Sequence, residues 1–99
     1  MGMKYKAIYL PVANLDIIRI GDALVDYPGK AKRFFIELEK KIALVEKMPY
    51  MWSEYIQRPR YRCMVLEDHL LFYKVDEDGK KIKVYRVLYS KMNILEYLE

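Results

Sequence analysis

The sequence predicts an α+β domain in which an N-terminal strand and a two-helix hairpin pack on one face of a mostly antiparallel sheet, with three strands at the C-terminal end. Three observations point there. An apolar stripe repeats every three or four residues from Ala31 to Met48, as on a long amphipathic helix. Three runs dense in Val, Leu, Tyr, Phe and Ile follow at short intervals, separated by acidic turns. An opening run, KYKAIYL, is rich in β-forming residues and stops at Pro11.

Taken in order, Lys4 to Leu10 is the first strand. From Val12 to Asp26, Val12, Leu15, Ile18 and Leu24 recur at mostly helical spacing, giving a first helix with a break expected near Gly21, where glycine costs about 1 kcal/mol relative to alanine. Tyr27-Pro28-Gly29 punctuates the chain, and the second helix then runs until Pro49. On its polar face Glu37 and Lys41 form an i,i+4 pair. Pro49 to Pro59 has no period and reads as a loop carrying Tyr50, Trp52 and Tyr55. Arg60–Leu66, His69–Val75 and Lys81–Tyr89 form two consecutive hairpins, turning at Glu67-Asp68 and at Asp76–Gly79. Met92, Leu95 and Leu98 suggest a short terminal helix within Ser90–Glu99.

A two-residue turn at Glu67-Asp68 sets Arg62 opposite Tyr73 and Arg60 opposite Val75 on one face. Val65, Cys63, Leu70 and Phe72 then share the other, which reads as core. The register of the last strand stays open, because a one-residue slip at Gly79 exchanges Arg86 and Leu88 with Tyr85, Val87 and Tyr89.

Length and composition narrow the function. Ninety-nine residues make a single domain, 1–99, and 54 % apolar with 32 % charged residues is the balance of a folded chain. One cysteine, Cys63, and one histidine, His69, exclude an intrachain disulfide and suggest no zinc site or other metal. A reducing, cytoplasmic setting is expected. The charge-free run Ala7–Leu15 is too short, and too interrupted by Pro11 and Asn14, for a signal or membrane span. The net charge is +4, but its distribution is uneven: Tyr55–Leu66 holds Arg58, Arg60 and Arg62 with no acid, and Gly79–Leu95 holds Lys80, Lys81, Lys83, Arg86 and Lys91 with none. Basic strands interleaved with tyrosines are suited to stacking on and neutralising single-stranded RNA. The loop aromatics Tyr50, Trp52 and Tyr55 offer anchors for a partner's amphipathic segment.

The string YRCMVLEDHLLFYKVDEDGKKIKVYRVLYSK, from Tyr61 to Lys91, resembles the C-terminal half of RelE/ParE-type toxins, in which a basic strand leads through a tyrosine-rich hairpin to an RVL motif. Tyr5–Tyr9, Ala13, Asp16, Ile20 and the long helix before Pro49 are similar to the opening of that family, so the likeness covers nearly the whole chain. The resemblance implies the toxin of a type II toxin-antitoxin (plasmid stabilisation) module, held by a cognate antitoxin and needing no cofactor. Its primary reading is inhibition of translation by ribosome-dependent mRNA cleavage, with the ribosome and mRNA as partners. The alternatives are a ParE-like, non-enzymatic inhibitor of DNA gyrase, or a catalytically degenerate relative that binds antitoxin.

Under the primary reading the resemblance assigns catalytic roles to Arg62, Lys91, Tyr97 and Tyr89, and nucleic-acid binding to Arg58, Arg60 and Arg86. Cleaving RNA through its own 2'-hydroxyl needs a base, an acid and cations around one phosphorane. Arginine and lysine supply the cations. Tyrosine ionises at about 10 in water, so a tyrosine base needs cationic neighbours. The chain departs from the ribonuclease pattern at Met64, Leu70 and Tyr89, where basic residues or a histidine stand in active members.

Overall fold

The computed structural model describes residues 4–98; the first three residues and Glu99, the last residue of the expected terminal helix, lie outside the described part. The elements run β1 (Lys6–Tyr9), α1 (Pro11–Ala23), α2 (Pro28–Lys47), β2 (Glu54–Tyr55), β3 (Arg58–Leu66), β4 (His69–Asp76), β5 (Lys81–Tyr89) and α3 (Ile94–Tyr97). The strands make one sheet in the order β1-β5-β4-β3-β2, with β1 parallel to β5 and the remaining neighbours antiparallel. The predicted α+β arrangement, both hairpins and the short terminal helix are all present.

Proline starts both long helices, where its fixed φ suits the first turn and its missing N–H would have had no partner. The predicted break near Gly21 does not occur: α1 continues to Ala23, and Gly21 lies against α2, where an added Cβ would stand 3.7 Å from the Phe35 ring. Helix packing outweighs the intrinsic cost of one glycine. The segment read as a pure loop holds β2, which pairs Glu54 with Arg62 and Tyr55 with Arg58 across an irregular register, and β3 begins two residues earlier than expected. Proline at position 59 fits there because the ladder is interrupted at that point.

The two hairpins fix which side chains share a face. Arg62 pairs with Tyr73, as predicted, and Leu66 with His69. In β5 the ladder passes from Phe72–Arg86 to Tyr73–Val84, so Tyr85 is a bulged extra residue. This bulge settles the open register. Val84, Val87 and Tyr89 face the helices, while Arg86 and Leu88 face away.

The main core lies between the helices and the sheet and contains Ala13, Ile20, Phe34, Leu38 and Val45 against Met64, Leu66, Leu71, Tyr73, Ile82, Val84 and Val87. This corrects the expectation that Val65, Cys63, Leu70 and Phe72 form the core. Their face carries a second, smaller cluster of Tyr61, Phe72, Leu88, Ile94 and Leu98, closed by α3, while Val65 is 54 % exposed. Both faces of the sheet are therefore covered in part, which alternation along one hairpin could not distinguish from a single buried face.

Glu46 and Asp16 cover the outer edge formed by β1 and the end of β5. The Glu46 carboxylate accepts from the Ala7 amide at 2.8 Å, and the Glu46 carbonyl from the Tyr5 amide at 3.0 Å, satisfying the free edge of β1. Where β1 ends, Asp16 of α1 takes over its place beside β5, its carboxylate accepting from the Val87 amide at 3.0 Å.

Candidate functional site

Three regions hold the residues that the sequence singles out. In the first, Arg62 projects from the helix-covered face of β3. Its guanidinium donates to the Trp52 carbonyl at 2.8 Å and lies 4.8 Å from the centre of the Tyr50 ring. The buried Tyr73 hydroxyl donates to the Pro49 carbonyl at 2.8 Å, and burial pushes that phenol up to about 12. Glu77 accepts from the hydroxyls of Tyr5 and Tyr50, and these two hydrogen bonds hold its carboxyl below the usual range while raising Tyr50 to about 12. Together these groups fasten the loop that follows α2.

The second region lies on the outer face. Arg86 forks onto Asp16 through its Nε and Nη2 at 2.8 and 2.9 Å, and its Nη1 donates to the Tyr97 carbonyl at 3.0 Å. The hydrogen bonds to Asp16 lead the upward shift of its pKa. Asp16 is 5 % exposed. Tyr97, Tyr61, Tyr85 and Arg86 line a cleft of about 330 Å³. Beside it, the Lys74 ammonium lies 4.8 and 4.7 Å from the ring centres of Tyr61 and Tyr85, and Arg60 lies 5.9 Å from the Tyr61 ring. Arg58 donates to the adjacent Gln57 carbonyl. The outcome is a basic, tyrosine-rich surface across β3, β4 and β5. Lys74 at its centre was missed in the sequence. Its alternation with Phe72 on the same strand face was the available signal.

The third region is the far end of the sheet. Tyr89 and His69 pair across β4 and β5, with ring centres 5.7 Å apart, and His69 also meets Phe34 edge-on at 5.2 Å. Burial lowers the His69 pKa, only partly opposed by Asp68. Lys91 is exposed in the turn after β5.

The second and third regions meet, because Arg86, Tyr97, Tyr89 and His69 line one groove of about 430 Å³, but Arg62 stands apart from them. Arg62 is on the helix side of the sheet, whereas Arg86 and Tyr97 meet on the other. Tyr89 shares the face of Arg62 but is two strands across and four rows along, about 16 Å at ordinary strand spacings. Cys63 on the outer face is an inert thiol, pushed up to about 11 by burial. Among the described residues, no group of three or more His, Cys, Asp or Glu side chains is placed to hold a metal.

A family model describing the ParE toxin of the type II toxin-antitoxin system parDE matches residues 7–94. The chain belongs to this family. Among solved structures, the toxin resembles a chain of a chromosomal ParDE toxin-antitoxin system from P. aeruginosa, with a TM-score of 0.71 and 18 % identity over 89 % of this chain and 98 % of that one. It also resembles a chain of a RelBE toxin-antitoxin complex from Mycobacterium tuberculosis, with a TM-score of 0.55 and 16 % identity over 88 % and 99 %. At these identities the two likenesses establish a shared RelE/ParE fold. A search of curated protein sequences gives no match. No described helix is long and apolar enough to cross a membrane.

Proposed function

We propose that the toxin is neutralised by a cognate antitoxin and acts by binding DNA gyrase rather than by cutting messenger RNA. The observation that supports this reading is that the sheet separates Arg62 from the other candidate catalytic groups. A phosphorane needs its base, acid and cations within hydrogen-bond reach of one phosphate. Arg62, the first cation in such a scheme, faces the helices and holds the Trp52 carbonyl, while Tyr97 and Arg86 lie beyond the strands on the other side. Arg86 directs its fork to Asp16. The family model adds weight in the same direction.

Binding requires only a surface. Arg60, Lys74 and Tyr85, backed by the buried Tyr61, present the arginine and tyrosine side chains favoured at protein interfaces, on rigid strands. That surface is the proposed target contact, with Arg58 at its margin.

The test compares two reactions with the purified toxin. With gyrase and supercoiled plasmid, accumulation of linear, gyrase-linked DNA is expected, and an Arg60→Glu, Lys74→Glu variant should lose it. In reconstituted translation the reporter message should remain intact. New in-frame 5' ends that vanish in an Arg62→Ala, Lys91→Ala variant, with no effect on gyrase, would overturn the proposal in favour of mRNA cleavage.

A further inference from the structure

The outer face of the sheet is crowded with lysines at the start of β5. Ile82 and Val84 enter the core together with their β1 neighbours Ala7 and Tyr9, so Lys6, Lys81 and Lys83 emerge on the opposite side. On β4, Tyr73 and Val75 face the core, which turns Lys74 and Asp76 outward. The ladder then sets Lys6 directly beside Lys81, and Lys83 directly beside Lys74. At ordinary strand spacings the four lysines span about 10 Å across three strands and about 7 Å along them.

Nothing in the fold calls for this arrangement. Like charges set opposite each other on neighbouring strands are unfavourable, and here it happens twice. Lys6 and Lys81 are exposed and have no hydrogen bond, ion pair or ring contact among the described residues to offset the repulsion. The carboxylate within the patch, Asp76, is already engaged, accepting from the Gly79 amide at 3.1 Å and lying 3.6 Å from the Lys83 ammonium. The surplus positive charge is matched by an anion from outside the molecule.

The character of that anion follows from the neighbouring rings. The Lys74 ammonium lies 4.8 and 4.7 Å from the ring centres of Tyr61 and Tyr85, and Tyr61 is buried, so these rings serve the lysine instead of stacking on an unpaired base. What the patch offers is charge spread over a strand face. Duplex DNA carries one charge per about 1.7 Å of axis, about six over the width of the patch.

We propose that Lys6, Lys74, Lys81 and Lys83 bind the phosphate backbone of duplex DNA without reading its sequence. The patch adjoins the Arg60–Tyr85 surface at Lys74, so a toxin seated on gyrase touches the DNA that the enzyme holds. That last step rests on the gyrase reading above, whereas binding of DNA by the toxin alone does not.

The test titrates purified toxin onto a fluorescein-labelled duplex of about 30 base pairs and follows anisotropy from about 50 to 200 mM salt. Four phosphate contacts give log K against log salt a slope of about −3.6, a loss of affinity of about 150-fold over this range. Lys6→Gln, Lys81→Gln removes two contacts and should bring the slope about 1.8 closer to zero. The same variant should unfold at a higher urea concentration, because it relieves the repulsion between β1 and β5. Lys32→Gln, Lys40→Gln on the exposed face of α2 removes an equal charge and should leave the slope unchanged. Absence of duplex binding by the wild-type toxin at about 50 mM salt, tighter binding of a single strand of the same length, or an equal change of slope in both variants would overturn the proposal. The reaction contains no gyrase, so any of these results leaves the gyrase reading to its own plasmid assay.

Discussion

Asp16 shows how one residue can hold an edge, a helix and the C-terminal turn at once. Its carboxylate takes two hydrogen bonds from Arg86 and one from the Val87 amide, and Arg86 in turn reaches the Tyr97 carbonyl. Removing one member of a buried pair strands the other charge, at a cost of about 3–5 kcal/mol. Asp16→Ala should therefore lower stability near the lower end of that range, because Arg86 retains some solvent access, and an Asp16→Leu, Arg86→Met variant should recover most of the loss in urea unfolding. His69 gives the molecule a pH response of known sign. Its folded pKa lies below the ordinary 6.5, so the unfolded chain binds the proton first. Stability is expected to be full above about pH 6.5, to fall as pH drops through that value, and to level off below the folded pKa. Denaturant midpoints measured from pH 8 to pH 5 should show this decline, and His69→Phe should remove it. At residue level the sequence was partly legible. Asp16 stands in the buried stripe Ala13, Asp16, Ile20, where an acid without a local partner predicts a distant cation. The partner itself was hidden by the bulge at Tyr85, which decides the side of β5 on which Arg86 emerges.

Among the elements, the hairpin turns carry backbone conformations their residues do not favour. Glu67 has φ 53° and Lys80 has φ 52°, both in the left-handed region. Glu67→Gly and Lys80→Gly should each raise stability by about 0.5 kcal/mol where the strain relieved exceeds the side-chain contacts and chain entropy lost, Lys80 being the less favourable because it meets Glu77 and the Tyr5 ring. Thermal unfolding of both variants would rank them. The loop after α2 depends on Arg62: Arg62→Ala should cost about 1–2 kcal/mol through the lost Trp52 hydrogen bond and Tyr50 contact, and Arg62→Lys should not restore it. Hydrogen exchange of residues 49–53 would report the loosening. Helices and strands with strong periods were readable from Phe34, Leu38 and Val45 or from the alternation of β3. The two-residue β2 was not, because it exists through pairing with Arg58 and Arg62 rather than through any propensity of Glu54-Tyr55.

On the scale of the molecule, the sheet separates two apolar clusters, and the order of elements alone does not reveal the second. A helix of four residues closes it through Ile94 and its neighbour Leu98; the spacing of Met92, Leu95 and Leu98 announces the helix but not the face of the sheet it covers. That same layout separates Arg62 from the other groups a nuclease would gather, which is why the site was less legible than the fold: residue types are visible in sequence, while the side of β5 on which Arg86 emerges depends on one bulge. The parallel pairing of β1 with β5 has a further consequence. Lys6 meets Lys81 and Tyr9 meets Val84, so the first strand can find its place only after the last one has been made. A chain growing from a ribosome holds β1 unpaired through the synthesis of both helices and the first hairpin, and contacts of such long sequence separation form slowly. Assembly of the Asp16–Arg86 connection must wait in the same way. Harmfulness thus arrives late in the life of each new molecule, leaving an interval after translation in which a neutralising protein can reach it before its sheet is complete.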